Sequence, residues 1–295
     1  KIAQQLNEPK VLSFDMGGTT AKISLIEDYK PKTARNFEIA RSARFQKGSG
    51  MPVRIPVIEM IEIGAGGGSI AHVDQVGRLN IGPESAGAEP GPAAYNKGGV
   101  LPSVTDANVV LGYLPSEVRL GGDMEIRKDL AEKAIRPVAK ALGISVKRTA
   151  AGIIDIVNEN MYGALRLVSV EQGYDPRDFA LIGFGGAGPL HANALGKLMN
   201  SWPVIIPPGP GVLCAYGDAT TRVRDEASRT FIRRFSQTTV AQVTKVYEKL
   251  AAQAEKTIEK EDIDDNPDNS ETPQDSIKNI DEPQEELSVK TEIDS

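Results

Sequence analysis

Asp15-Met16-Gly17-Gly18-Thr19-Thr20 sets an acid at the end of a short apolar run and follows it with two glycines and two hydroxyls. Glycines let backbone N–H groups approach a phosphate closely, and the threonine hydroxyls add donors. Asp15 beside such phosphates could hold Mg²⁺, directly or through water, or orient an attacking water. The same residues would also serve as an ordinary β-hairpin turn. A second run, Gly183-Phe184-Gly185-Gly186-Ala187-Gly188, satisfies G-x-G-x-x-G between a strand and a helix. Dinucleotide binding is disfavoured there, because the ribose-binding acid expected about 20 residues later is missing. No Asp or Glu lies between Pro189 and Gly217. Gly185, Gly186 and Ala187 can still seat an adenosine or a phosphate at a helix N-terminus. The Walker-A pattern is absent throughout.

His72, Asp74, Glu84, Glu89 and Asp106 are the ionisable groups in and around a long Gly/Pro-rich stretch. An imidazole and carboxylates converging on one point could bind a second divalent metal, or act as acid and base on a lactam. His72, Glu89 and Asp106 are therefore the candidate catalytic residues. Each has a plainer alternative. His72 falls on an alternating strand, and Thr105-Asp106 ahead of Ala107–Leu111 makes a good helix N-cap. His191, just inside a helix, suits either a nucleotide site or cap packing. Lys22 could reach a phosphate or simply be solvated. Only two histidines occur, so a multi-histidine metal cage cannot be built within the chain.

The elements that must position these residues follow from apolar periodicity. Val11–Asp15 and Ala21–Ile26 read as strands joined by the first glycine turn. Val57–Ile63 runs into Gly64–Ser69, and Ile70–Asp74 with Leu79–Ile81 about Gly77 predicts a hairpin. Residues 82–106 read as an irregular loop, long enough to imply a function. A helix is expected from Lys128 to a cap at Gly143. Ile153, Val157, Met161, Leu165 and Val168 form the buried stripe of a long second helix. Phe179–Phe184 is a strand, Pro189–Met199 a helix, Pro203–Pro207 a strand, and Thr238–Glu261 a last amphipathic helix. Hairpins first and strand–turn–helix units later indicate a mixed α/β lobe.

Charge sets an expected boundary. Residues 261–295 hold 13 acids against two lysines, a net of −11, while the other 260 hold 27 acids and 32 bases, a net of +5. That last segment lacks glycine and aromatics, so it reads as a disordered acidic tail, with residues 1–260 as the folded lobe. Positive charge elsewhere is dispersed and gives no nucleic-acid signature. No apolar run approaches the ~20 residues of a membrane span. Lone Cys214 excludes an internal disulfide, fits a reducing, cytoplasmic setting, and reads as core packing. A start at Lys1, without a targeting pattern, reads as a truncated or excised piece.

Four blocks together resemble the hydantoinase A/5-oxoprolinase family. They are Ser13–Lys22; Ile63–Ala71; Gly82–Tyr95 with Pro102–Asn108; and Phe184–His191, in the family's order. The resemblance covers roughly residues 10–260. It implies an actin/sugar-kinase-like (ribonuclease H-like) nucleotide-binding fold. It also implies ATP with Mg²⁺ and a small cyclic amide substrate such as 5-oxoproline or a hydantoin. Related subunits serve ketone carboxylases, and a non-catalytic ATP-binding scaffold is a third reading. The family carries an earlier Asp-x-Gly-Gly-Thr motif that nothing before Lys10 supplies. An N-terminal lobe or partner subunit is therefore expected to complete the site.

Overall fold

The computed structural model describes residues 1–35, 37–39, 48–55, 57–117, 119–221 and 225–263. The chain divides into two compact units, Lys1–Ala219 and Thr220–Ser295.

The first unit is built on a six-stranded mixed sheet. Its centre is β1 (Lys10–Met16), whose period of two sends Leu12, Phe14 and Met16 into the main core. Val11 points to the other face, where it meets Ala3, Ala180 and Ile182. β2 (Ala21–Glu27) pairs antiparallel with β1 through the predicted hairpin. The far edge of β2 carries β3 (Met60–Ile63) along its first half and the short strand Lys30–Pro31 along its last. A separate hairpin, β4 (Ser69–Val73) and β5 (Leu79–Ser85), follows β3. On the other side of β1, β6 (Ala180–Phe184) runs parallel to it and β7 (Val204–Ile205) parallel to β6. The fold class is mixed α/β, as the order of elements indicates.

Helices cover the main-core face. α1 (Val104–Leu111) is capped by Ser103, whose Oγ accepts from the N–H of Asp106. This corrects the cap expected at Thr105-Asp106: Asp106 is the third helical residue and completes a capping box with Ser103. The stretch 82–106 is thus less irregular than its composition suggests. It holds the end of β5, a 3₁₀ turn at Ala93–Tyr95 and the start of α1. α2 (Lys128–Leu142) stops where Gly143 takes φ +67°, a left-handed cap. α3 (Val146–Val168) buries its whole predicted stripe and packs on α1, α2 and the β-strands below. Full burial of these five side chains contributes roughly 1.5–3 kcal/mol each. α4 (Gly188–Met199) lies on β6 and contacts α3. Gly183 allows that approach, since a Cβ there would come within 2.6 Å of Ala192 Cβ. α5 (Leu213–Ala219) closes the unit.

In the second unit the described elements are a 3₁₀ turn, Phe235–Gln237, and α6 (Val240–Ile263). Phe231, Ile232, Phe235 and Tyr247 are exposed. The expected acidic tail lies, from residue 264 onward, outside the described residues. Among the described residues no helix is long and apolar enough to cross a membrane.

Candidate functional site

The register of β1 on β6, Asp15 beside Phe184, brings the two glycine motifs to the same end of the sheet. There the chain leaves β1 through Gly17–Thr20 and leaves β6 through Gly185–Ala187. The carboxyl ends of parallel strands are where open α/β sheets bind ligands. The first turn is closed by Gly17 N–H to the Thr20 carbonyl, 3.0 Å. The second is tied to the first by Ala187 N–H to the Met16 carbonyl, 2.9 Å. Gly185 has φ +84°, and a Cβ on it would collide with Asp15 Oδ1 and the Met16 carbonyl. Glycine is needed at that position for backbone conformation and for space alike.

A third glycine run joins them. Gly67 and Gly68 donate their N–H groups to the carbonyls of Gly17 and Gly18, at 3.0 and 2.6 Å. A Cβ on Gly66 would lie 2.5 Å from the Gly18 carbonyl carbon and the Thr19 nitrogen. The Gly67 carbonyl accepts from Thr105 N–H, and the Gly68 carbonyl from Ala86 N–H. Gly64–Ser69 thereby links the phosphate-type turn to both α1 and the Gly/Pro-rich loop. The sequence shows this run only as a glycine stretch after a strand; the direct backbone clamp depends on pairing across about 50 residues.

Space and donors remain where a ligand would sit. Gly18, Thr19 and Gly186 are exposed, and Cβ atoms added at Gly17, Gly18 or Gly186 would meet nothing within 4 Å. Among the described residues, the N–H groups of Gly18, Thr19 and Gly186 donate to no acceptor. Asp15 is half-buried and faces this end of the sheet, with Lys22 opposite it on β2. Cys214, at the start of α5, donates its S–H to Asp15 Oδ2 at 3.5 Å. Cys214 is exposed, which corrects the expectation of a core thiol. Partial burial and the Asp15 carboxylate push its thiol upward, away from thiolate character.

The three candidate catalytic residues sit in different settings. Asp106 is fully buried and accepts four hydrogen bonds. Its donors are the N–H groups of Ala93 (3.4 Å) and Ala94 (2.7 Å), and the N–H and hydroxyl of Ser103 (2.8 and 2.7 Å). Burial pushes its carboxyl upward, while those four donors pull the other way. Here Asp106 pins the Ala93–Tyr95 turn to the head of α1. Glu89 stands exposed on the loop. His72 is half-buried on β4, opposite Asn80 of β5, and lines a cavity of about 770 Å³. Among the described residues no three His, Cys, Asp or Glu side chains gather to hold a metal ion. A second divalent metal therefore has no ready-made cage there. A Mg²⁺ ion would need none, because that ion keeps waters and substrate phosphates and takes one or two carboxylates.

His191 turns out to be a core residue. It is wholly buried on α4, with Nδ1–H donating to Asn158 Oδ1 at 2.8 Å. Asn108 Nδ2 donates to Nε2 at 3.4 Å. Desolvation lowers its pKa to about 4, so the ring stays neutral and ties α4, α3 and α1 together. Nothing in the sequence linked either asparagine to His191, since 83 and 33 residues separate them.

The chain is similar to known proteins in sequence and fold. The Hydantoinase/oxoprolinase family profile matches residues 1–227. The chain is 44% identical over 224 residues to the caprolactamase alpha subunit of Pseudomonas jessenii, covering 76% of this chain and 31% of that protein. It is 41% identical over 221 residues to the acetophenone carboxylase gamma subunit of Aromatoleum aromaticum, covering 74% and 29%. The crystal structure of ATP-dependent caprolactamase from Pseudomonas jessenii superposes with a TM-score of 0.68 at 40% identity, over 85% of this chain and 36% of that one. The chain thus spans about a third of the length of the relatives it matches. With the four sequence blocks forming one clustered end of the sheet and the profile covering most of the chain, this protein belongs to the hydantoinase/oxoprolinase family.

Proposed function

We propose that this chain supplies the phosphate-holding part of an ATP-dependent enzyme that opens a cyclic amide. The observation that carries the reading is the set of exposed N–H groups on Gly18, Thr19 and Gly186, gathered with open space at one end of the sheet. Backbone donors that approach without side chains suit a polyphosphate. In this reading Gly17, Gly18, Thr19 and Thr20 hold the phosphates, and Gly185, Gly186 and Ala187 border the adenosine end. Asp15 takes Mg²⁺ or its waters, and Lys22 adds positive charge beside it. ATP supplies a phosphoryl group that activates an otherwise unreactive amide carbonyl. The protein's share is positioning and charge stabilisation, which dominate phosphoryl transfer. A second phosphate-binding element, from another lobe or a partner subunit, faces this one in the complete enzyme. The subunit names of the two relatives support that part of the reading.

A second reading, the nucleotide-binding subunit of a ketone carboxylase, is favoured by the likeness to acetophenone carboxylase. ADP release is the test, measured with the complete enzyme and offered 5-oxoproline, a hydantoin, caprolactam, or acetophenone plus bicarbonate. Stimulation by a cyclic amide is expected. Stimulation only by the ketone with bicarbonate would replace the first reading by the second, and stimulation by none would leave an ATP-binding scaffold.

A further inference from the structure

The cavity beside His72 is separate from the phosphate-type turns yet joined to them by three residues of backbone. Ile63, Gly64 and Ala65 form one wall, and the chain then runs directly into Gly66, whose Cα lies against Gly18 and Thr19. Its volume of about 770 Å³ lies within the range of small-molecule sites, roughly 300–1,000 Å³. The lining has two characters. Ile63, Ala65, Ile81, Ala164 and Leu167 are apolar, while His72, Asn80, Glu159 and Asn160 bring donors and acceptors. No lysine or arginine is among the described residues that line it.

Gly163 is the second observation. It sits exposed in the C-terminal third of α3, where glycine costs about 1 kcal/mol relative to alanine. Beyond its own helix backbone and chain neighbours, a Cβ there would meet nothing within 4 Å, so no packing against other elements requires glycine. The missing side chain opens the cavity instead. A helix that carries this cost at a cavity wall, and nowhere needs it for its own packing, leaves room for something outside the chain.

We propose that this cavity binds the ring of a neutral cyclic amide, a lactam or hydantoin without a carboxylate; the inference rests on the reading of the chain as part of a cyclic-amide-opening enzyme. The apolar wall takes the methylene ring. Glu159 accepts the amide N–H, and His72 or Asn160 donates to the carbonyl. A substrate such as 5-oxoproline would bring its carboxylate into a cavity with one carboxylate already present and no lysine or arginine lining it. Like charges at short range disfavour that arrangement. Gly163 sets the size of ring admitted.

The test is calorimetry on the 295-residue protein with caprolactam, hydantoin and 5-oxoproline, with and without a non-hydrolysable ATP analogue. The neutral amides should bind at least about tenfold more tightly than 5-oxoproline. Gly163→Leu should weaken neutral-amide binding about tenfold or more and leave ATP-analogue affinity and the melting temperature no lower. Glu159→Gln should reduce the preference for neutral ligands over 5-oxoproline. Equal or tighter binding of 5-oxoproline, amide binding indifferent to Gly163→Leu, or ATP-analogue binding with no amide binding in either condition overturns the proposal. A protein that binds the amide but no ATP analogue would instead sink the reading of the glycine turns, so the two failures are distinguishable.

Discussion

Replacing Asp106 by alanine leaves four donors in a buried place without an acceptor. Each unsatisfied buried group costs about 1–3 kcal/mol, so Asp106→Ala should lower stability by roughly 3 kcal/mol or more in denaturant melts. A purely catalytic Asp106 would show lost turnover with an unchanged melt. His191 gives a pH signature of its own. Its folded pKa, about 4, lies below the ordinary 6.5, so the unfolded chain takes up the proton first as pH falls. The stability it forfeits is intact above pH 6.5 and is lost progressively down to pH 4. At about 1.4 kcal/mol per pKa unit the loss is roughly 3 kcal/mol. His191→Gln should flatten the acid limb between those pH values; an acid limb identical in both proteins would assign the sensitivity to other groups. At this scale the sequence was legible where chemistry needs only a local turn, as at Asp15–Thr20. It was silent where partners come from afar, as for Asp106 with Ala94 or His191 with Asn158 and Asn108.

The hairpin around Gly17-Gly18, the stripe on α3 and the strand–turn–helix at Phe184–Pro189 were all readable, because each is set by a period or a turn residue within a short window. The parallel pairing of β1 with β6 was not, since about 170 residues intervene and no spacing records it. The loop at 82–106 was misjudged as irregular. Its order comes from tertiary hydrogen bonds to Asp106 and Gly68, which composition does not reveal. Elements also separate the glycines into two kinds. Gly66→Ala forces a Cβ to 2.5 Å from the backbone at Gly18 and Thr19, and should cost about 1–3 kcal/mol by overpacking. Gly186→Ala has open space and should melt within about 0.5 kcal/mol of the parent. Comparing the two melts checks the clamp between Gly64–Ser69 and the first turn; equal stabilities would mean that the clamp is loose.

At the scale of the molecule, the chain spans about a third of its relatives' length, and its described site holds one Asp-x-Gly-Gly-Thr turn. Phosphoryl transfer depends on charge stabilisation from all sides, so turnover should be negligible for this chain alone and restored by the complementary lobe or subunit. An effect of 10³-fold, about 4 kcal/mol, is expected from several missing contacts. The family and fold class were legible because four glycine- and proline-rich blocks are strung in order along the sequence. The substrate was not, because cavity shape is a property of packing. The most direct test of the central claim is ATP·Mg²⁺ calorimetry on the parent, Gly18→Val and Gly186→Val. A Cβ at either position meets nothing within 4 Å. Native melts with ATP affinity reduced at least about tenfold in each variant are expected. Unchanged affinity in both well-folded variants would contradict this claim and remove the glycine turns from the nucleotide site.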